Sequence, residues 1–503
     1  MNSLKENIFK YLIILIGFGG IFLAIFGIWK PYSYWIDELY SVTASEISFV
    51  DMFKNLVLYD VHPPLYQVIL KIWIGLFGSI ETVTRTLSLI FSLSSLVVFV
   101  KYFYKNLSKY TAIISISFFT SNFLFIYYSQ ETRSYSMMLF LSTILTILAI
   151  DKIINDTNKK TIFYIAIFSI LLSMTHHFGL IYTGFVLFFL LVYLKNIKEQ
   201  LLIIVSGLLS LSWIVFHYLF GNLGIRTGGN FWIKSDGVLT TIFTYVDAML
   251  PQLSTVIRIM FNYQKILISI LTILVFVVFY YLISKKIEKN KISFILKDSN
   301  KNKNVFIFMI FIIIGFVFLI AMIDLHTPIS TTRNYIVLLP ITSLLIGFIF
   351  SSFPRNVLFS LFIIGLLYAS LLYSYKKISS KQYPIQNPKE ATIFIEENKL
   401  LKNRSFYYKE IPNIALSKME NKIAIFYFKN KEQIMATPIN ENDLSTLDSR
   451  ENFIFFSQHR KIDIEAILEE LNKAGFKNIQ YYKPKEKWGN TIVIWNGDAN
   501  ESN

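Results

Sequence analysis

The sequence predicts a polytopic α-helical membrane protein. It has about eleven transmembrane helices, interfacial helices in the first outer loop, and a small C-terminal α/β extracytoplasmic domain. Three observations predict this. Of 503 residues 54% are hydrophobic and only 16% charged, where a soluble domain carries about 25% charged residues. The apolar residues gather in runs long enough to cross a bilayer. Basic residues crowd one set of connecting loops, and the composition turns polar after Tyr375. A soluble enzyme, a disordered chain and a coiled coil are excluded. With no cysteine, so are disulfides, thiolate chemistry and Cys-ligated zinc or iron–sulfur sites. The net charge of +15 reads as membrane topology rather than as a nucleic-acid surface.

The first span covers residues 11–28, with Lys5 and Lys10 before it. A signal peptide is the alternative, but WKPYSYW follows instead of a small-residue cleavage site. Further spans read at about 87–100, 111–127, 136–150, 161–175, 178–194, 201–219, 266–283, 305–323, 335–353 and 356–374. The segment LYQVILKIWIGLFG (65–78) differs: it has 14 residues, carries Lys71 and opens with Pro63-Pro64. That length suits an interfacial helix. If it does not cross, the loops holding Lys101, Lys105 and Lys109, then Lys152, Lys159 and Lys160, then Lys195 and Lys198 all fall inside. So does 285–304, with seven Lys. Counting 65–78 as a span would invert every one of them against the positive-inside rule.

Residues 1–377 therefore form the membrane domain, with a first outer loop at about 29–86, and residues 378–503 form the domain outside. In the latter, 421–428, 452–458 and 490–495 read as strands from their β-branched and aromatic content. Residues 462–476 have helical spacing, with Asp463 as N-cap and Gly475 just past the end.

With that topology, the outer loops hold WIDELYSVTASE (35–46), YDVHPPL (59–65), YYSQETRSY (127–135), THHF (175–178) and DLHTPISTTRNY (324–335). Ionisable groups this near hydrocarbon cost about 3 kcal/mol, so they usually have a task or a partner. Asp37 could take a proton from a hydroxyl. The plain alternative for Asp37-Glu38 is an acidic pair at a helix start. Asp60 and His62 precede Pro63-Pro64, which open a helix whether or not they serve a site. Arg133 and Arg333 suit a bidentate grip on phosphate; Arg133 could equally snorkel or pair with Glu131. His176-His177 read as a helix cap rather than a metal site, since no HExxH is present. No Walker loop, GxGxxG or GxSxG occurs.

The order Asp-Glu after the first span, D-x-H-P-P-L, an apolar helix ending in LFG, an Arg-led second span, YSQExRxY and a late Arg before a span resembles the protein O-mannosyltransferase family. The wider group is the C-type membrane glycosyltransferases, which include the lipid A aminoarabinose transferases. The resemblance covers roughly residues 11–375. It implies that Asp37 is the catalytic carboxylate activating the acceptor, with Glu38 its neighbour. Asp60 and His62 would lie beside the pocket. Glu131, Arg133, Tyr135, His177, Arg333 and Tyr335 would contact the substrate, the two arginines gripping lipid phosphate.

The implied activity is inverting transfer of a sugar from a polyprenyl-phosphate donor to an extracytoplasmic acceptor, whether glycan, lipid or protein. The alternatives are a flippase of lipid-linked sugars and an anchored receptor or assembly module. No cofactor is required, although a divalent cation at Asp37, Glu38 and a His is compatible. The implied partners are the lipid-linked sugar, its acceptor and membrane lipids, not nucleic acid. The implied location is the cell membrane, with site and C-terminal domain extracytoplasmic.

Overall fold

The computed structural model describes residues 3–29, 32–54, 60, 62–155, 159–220, 233, 237–252, 299–353, 357–379, 385–410, 419–458, 462–487 and 489–497. The expected span at 266–283 and most of the basic loop at 285–304 lie outside them. By internal packing the chain forms two units. One comprises Met1–Ile28, His62–Tyr66 and Ser88–Lys377; the other comprises Trp29–Val61, Gln67–Leu87 and Ile378–Asn503.

The first unit is a helix bundle. Its helices are α1 (Ser3–Phe26), the body of α4 (Glu81–Asn106), α5 (Lys109–Ser121), α6 (Phe123–Tyr128), α7 (Tyr135–Ile154) and α8 (Lys159–Ser173). They are followed by α9 (His177–Tyr193), α10 (Ile197–Phe220), α11 (Val238–Met249), α12 (Ser299–Asp324), a 3-10 helix (Thr332–Leu338), α13 (Leu339–Ser351) and α14 (Val357–Ser379). Among the described residues seven helical segments are long and apolar enough to cross a membrane. The shorter ones include α8 and α9, and the expected span at 111–127 is broken: Asn122 ends α5 and caps α6, accepting from the Leu124 amide at 2.8 Å. Its amide group donates to the Met249 carbonyl at 3.0 Å, which ties this break to the end of α11.

Close helix contact is bought with glycine. A Cβ on Gly20 would lie 2.0 Å from the Thr120 carbonyl oxygen, and one on Gly347 would lie 1.9 Å from Ser115 Oγ. Helix α5 is thus gripped from both sides by small residues, the usual device where lipid gives no hydrophobic drive for association. Lys152, counted above among the loop lysines, sits fully buried in the last turn of α7 and pairs with Glu199 of α10 at 2.8 Å. It staples two helices.

The second unit joins the first-loop helices to the C-terminal domain. Here α2 (Ile36–Glu46) and most of α3 (Leu65–Phe77) pack with residues of α16 (Glu420–Ala424) around Leu39, Val42, Met419, Ile423 and Phe426. At 13 residues α3 is about 20 Å long, short of a bilayer core of about 30 Å. The remaining elements are α15 (Pro388–Glu397), β1 (Ser405–Lys409), β2 (Ala436–Ile439), β3 (Phe453–Ser457), α17 (Ile464–Lys473), β4 (Gln480–Tyr482) and β5 (Ile492–Trp495).

The strands form one sheet in the order β2-β1-β3-β5-β4. Strands β2, β1 and β3 are parallel, and β5 runs antiparallel to β3 and β4. Alternate residues feed two cores: Phe406, Ile454 and Val493 face α15, while Phe455, Ile492 and Ile494 face α17. Helix α17 begins and ends as its sequence indicates. Asp463 accepts from the Ala466 amide at 3.2 Å, and Gly475 adopts φ +92° just past the last turn.

One element is corrected. Residues 421–428 are not a strand; they form the end of α16 and a following turn. Met419, Ile423 and Phe426 recur at helical spacing toward the first-loop helices, while Ala424 and Phe428 face the sheet. A strand would alternate between the two cores at every second residue, whereas this run returns to each core at steps of three or four.

Candidate functional site

In the first unit the polar residues converge on the turn between α6 and α7. Ser129, Gln130, Glu131, Thr132, Arg133 and Ser134 are all buried. Six consecutive polar residues off water are costly unless their groups are paired. The backbone here is held by side chains. Ser88 Oγ donates to the Glu131 carbonyl at 2.5 Å, and Ser136 Oγ to the Tyr128 carbonyl at 2.6 Å. Gln130 Nε2 donates to the Leu23 and Ile126 carbonyls, both at 3.0 Å. Gly27 leaves the space for it, because a Cβ there would lie 2.0 Å from Gln130 Oε1. Irregular backbone at such depth is tolerated where protein surrounds it or where it lines a cavity.

Three other segments bring cationic or titratable groups to this turn. His62 enters with the segment before Pro63-Pro64, which is tied down where the Leu65 amide donates to the Met174 carbonyl at 3.1 Å. The His62 ring lies 5.0 Å from that of His176, between centroids. His176 caps α9, its Nδ1 accepting from the Phe178 amide at 3.2 Å, and His177 opens that helix. The Tyr135 ring lies 5.8 Å from His176, and the Arg333 guanidinium lies over the other neighbour, Tyr135, at 5.6 Å from its centroid.

The electrostatics follow from this company. Burial holds the His176 imidazole well below its ordinary value, and the charges of His62, His177, Arg133 and Arg333 push the same way. His176 is therefore neutral at neutral pH. The charges of Glu131 and Arg333 both reach the Tyr128 hydroxyl.

Arg333 lies in the first turn of the 3-10 helix, after a loop organised by Asp324, a residue the sequence reading did not single out. Asp324 is buried and accepts from the Ile329 amide at 2.7 Å, the Ser330 amide at 3.0 Å and Thr241 Oγ1 at 2.5 Å. Tyr335 is fully buried. Its hydroxyl meets Ser330 Oγ at 2.9 Å, and its ring packs edge-on to Phe178. It holds the loop's shape.

The second unit carries Asp37, Glu38 and Asp60. Asp37 and Glu38 occupy the first turn of α2, where carboxylates are favoured by the helix's positive end. Their surroundings differ. Asp37 is half-buried, whereas Glu38 is 1% exposed and forms a two-point ion pair with Arg85, itself 6% exposed. Nε donates to Oε1 at 2.9 Å and Nη2 to Oε2 at 2.7 Å. Arg85 also donates to the Tyr32 carbonyl at 2.9 Å and the Ser33 carbonyl at 3.3 Å.

The segment entering α2 is held further by the Tyr427 hydroxyl, which accepts from the Tyr34 amide at 2.8 Å, and by Gln386, whose Oε1 accepts from the Ile36 amide at 2.7 Å. Burial, with Glu81 nearby, raises the Tyr427 phenol well above its usual range. Arg85 is legible in the sequence only as the head of a span. Its partner four dozen residues earlier leaves no local signal. Asp60 is half-buried.

Thus the bundle gathers His62, Arg133, Tyr135, His177 and Arg333 around His176, with Glu131 in the same turn, and the second unit positions Asp37 and Glu38 on α2. Among the described residues no group of three His, Cys, Asp or Glu is arranged to hold a metal ion.

No protein-family model matches the sequence, and no curated protein does. Solved structures do match. ArnT from Cupriavidus metallidurans in the apo state aligns over 97% of this chain and 97% of its own, with TM-score 0.54 and 9% identity. The same protein bound to undecaprenyl phosphate aligns over 98% of each chain, with TM-score 0.54 and 10% identity. The Archaeoglobus fulgidus oligosaccharyltransferase in complex with Zn and sulfate covers 94% of this chain and 68% of that one. Its TM-score of 0.46 and 11% identity are too loose to carry an argument. The chain is a polytopic integral membrane protein with the fold of ArnT.

Proposed function

We propose that this protein is a membrane glycosyltransferase that moves a sugar from a polyprenyl-phosphate donor to an extracytoplasmic acceptor. The observation that carries the reading is the set of cationic and imidazole side chains around Tyr135 and His176. Such a set attracts an anion, and the ArnT structure that shares this fold was solved with undecaprenyl phosphate bound. A lipid-linked donor keeps its tail in hydrocarbon, so its phosphate must be received within a bundle of this kind.

In the proposed reaction Asp37 takes the proton of the acceptor hydroxyl as its oxygen bonds to the sugar's anomeric carbon. The bond from that carbon to the phosphate oxygen breaks, and the electron pair leaves with the polyprenyl phosphate. Arg133 and Arg333 stabilise the charge that grows there. One displacement inverts the anomeric configuration. A monophosphate leaving group needs cations more than it needs a general acid, so no metal step is required.

Eleven spans, an inner side marked by the lysine loops, a membrane domain over residues 1–377 and an extracytoplasmic domain over 378–503 complete the proposal. Glu38 supports α2 through Arg85, and Asp60 is assigned to substrate binding. Asp37→Asn keeps the size and the helix start of the residue. It should abolish transfer from a labelled polyprenyl-phosphate sugar while the variant remains folded in membranes. Turnover at the wild-type rate would remove Asp37 from the role.

A further inference from the structure

His176 is 5% exposed, and its Nε2 is buried with no hydrogen-bond partner among the described residues. Its other nitrogen fixes the tautomer. Nδ1 accepts from the Phe178 amide at 3.2 Å, so in the neutral ring it carries no hydrogen, and the single ring hydrogen sits on Nε2. The fold therefore buries an N–H donor that finds no acceptor among the described residues. Leaving such a donor unmade costs about 1–3 kcal/mol, and native proteins keep few of them. The surrounding rings and cations say which acceptor would suit. His62 and Tyr135 lie against the ring, and the charges of His177, Arg133 and Arg333 reach it. A neutral oxygen would gain one hydrogen bond here. An anionic oxygen gains that bond and the attraction of the guanidiniums.

We propose that the Nε2–H of His176 donates to a phosphate oxygen of the lipid-linked substrate, making His176 a third phosphate ligand beside Arg133 and Arg333. This rests on the reading of the bundle site as a polyprenyl-phosphate site. The imidazole serves as a neutral donor and transfers no proton, because protonating Nδ1 would remove the cap of α9. His176 thus performs two tasks with its two nitrogens, one ending a helix and one facing the ligand.

The test is binding of undecaprenyl phosphate to the full-length protein in detergent, wild type against His176→Asn, with undecaprenol as the uncharged control. Asparagine is a favoured N-cap and keeps an acceptor for the Phe178 amide, but it cannot supply the Nε2–H. The expected result is unchanged thermal unfolding with affinity for the phosphate lowered about tenfold or more, and affinity for undecaprenol unchanged. Equal phosphate affinity in the two proteins overturns the assignment. So does an equal loss for undecaprenol, which would place His176 against the prenyl chain.

If wild type and Arg133→Gln bind the phosphate alike, the phosphate-site reading itself has failed. If Arg133→Gln loses binding and His176→Asn does not, only the inference about His176 has failed. Should His176→Asn unfold early, wild-type protein labelled with 15N-histidine decides the matter. One ring N–H resonance shifts downfield when undecaprenyl phosphate is added, and six unchanged imidazoles would contradict the contact.

Discussion

Two buried polar clusters in this molecule each contain arginine and end in opposite electrostatic states. In the second unit Glu38 and Arg85 meet through two hydrogen bonds, and the remaining guanidinium donors take the Tyr32 and Ser33 carbonyls. Opposite charges cancel and the donors are used. In the bundle, His62, His177, Arg133 and Arg333 all press on His176 with the same sign, and one buried N–H is left over. Satisfaction of the buried groups, rather than their identity, separates architecture from site. The first cluster is finished within the protein; the second, on the reading proposed above, is completed by the lipid-linked phosphate.

This contrast can be broken by mutation. The largest effect is expected in the finished cluster. Arg85→Leu strands the buried Glu38 carboxylate and should cost about 3–5 kcal/mol, seen as a large drop in the unfolding temperature in detergent. The pair Glu38→Gln with Arg85→Met should recover most of that loss. If the single variant unfolds like wild type, the pair is not the anchor of α2.

Next comes the unfinished cluster. Arg133→Gln should lower transfer from the lipid-linked donor about 10- to 100-fold through loss of a charge-assisted contact, with far less change in unfolding temperature than Arg85→Leu. A variant that loses stability and keeps turnover would put Arg133 in the first class.

The smallest effect is set by pH. The ordinary imidazole value is 6.5 and the folded state lowers it for His176. The unfolded chain therefore binds more protons in the window between the lowered value and 6.5, so stability rises with pH there. The His176 contribution is complete above about 6.5 and is lost as pH falls below it. Thermal unfolding between pH 7.5 and 5 should show a drop that His176→Asn flattens. Identical pH slopes in the two proteins would mean that His176 does not titrate abnormally.

Much of the fold was readable in order along the chain, because lipid demands long apolar helices and the runs are unmistakable. The break at Asn122 and the short α8 and α9 were not. The break depends on a carbonyl of α11, and the turn after α6 on distant Ser88 and Leu23, which pair the Glu131 carbonyl and the Gln130 side chain. In the C-terminal domain β3, β5 and α17 follow from buried runs and end signals. SFYYK of β1 and ATPI of β2 are too short and mixed to stand out, and Pro438 suits only an edge strand such as β2. The 421–428 run misled because its composition signals a strand while its buried residues recur at helical spacing.

For the site, Arg133, Arg333 and His62 could be singled out as ionisable groups beside apolar spans, and the structure gathers them. His176 reads as a cap in the sequence, which it is. The leftover nitrogen is visible only once its neighbours are in place. Arg85 acts through a partner dozens of residues away, and Asp324 joins nearby amides to the distant Thr241, relations that no local pattern here encodes.

The most direct measurement gives purified protein in liposomes a polyprenyl-phosphate sugar labelled in both sugar and lipid, together with membrane-derived acceptor. The account predicts that free polyprenyl phosphate and a glycosylated acceptor appear together, and that both vanish with Asp37→Asn. Movement of the intact donor between leaflets, with no cleavage of the sugar–phosphate bond, would contradict it and make the protein a carrier of lipid-linked sugars.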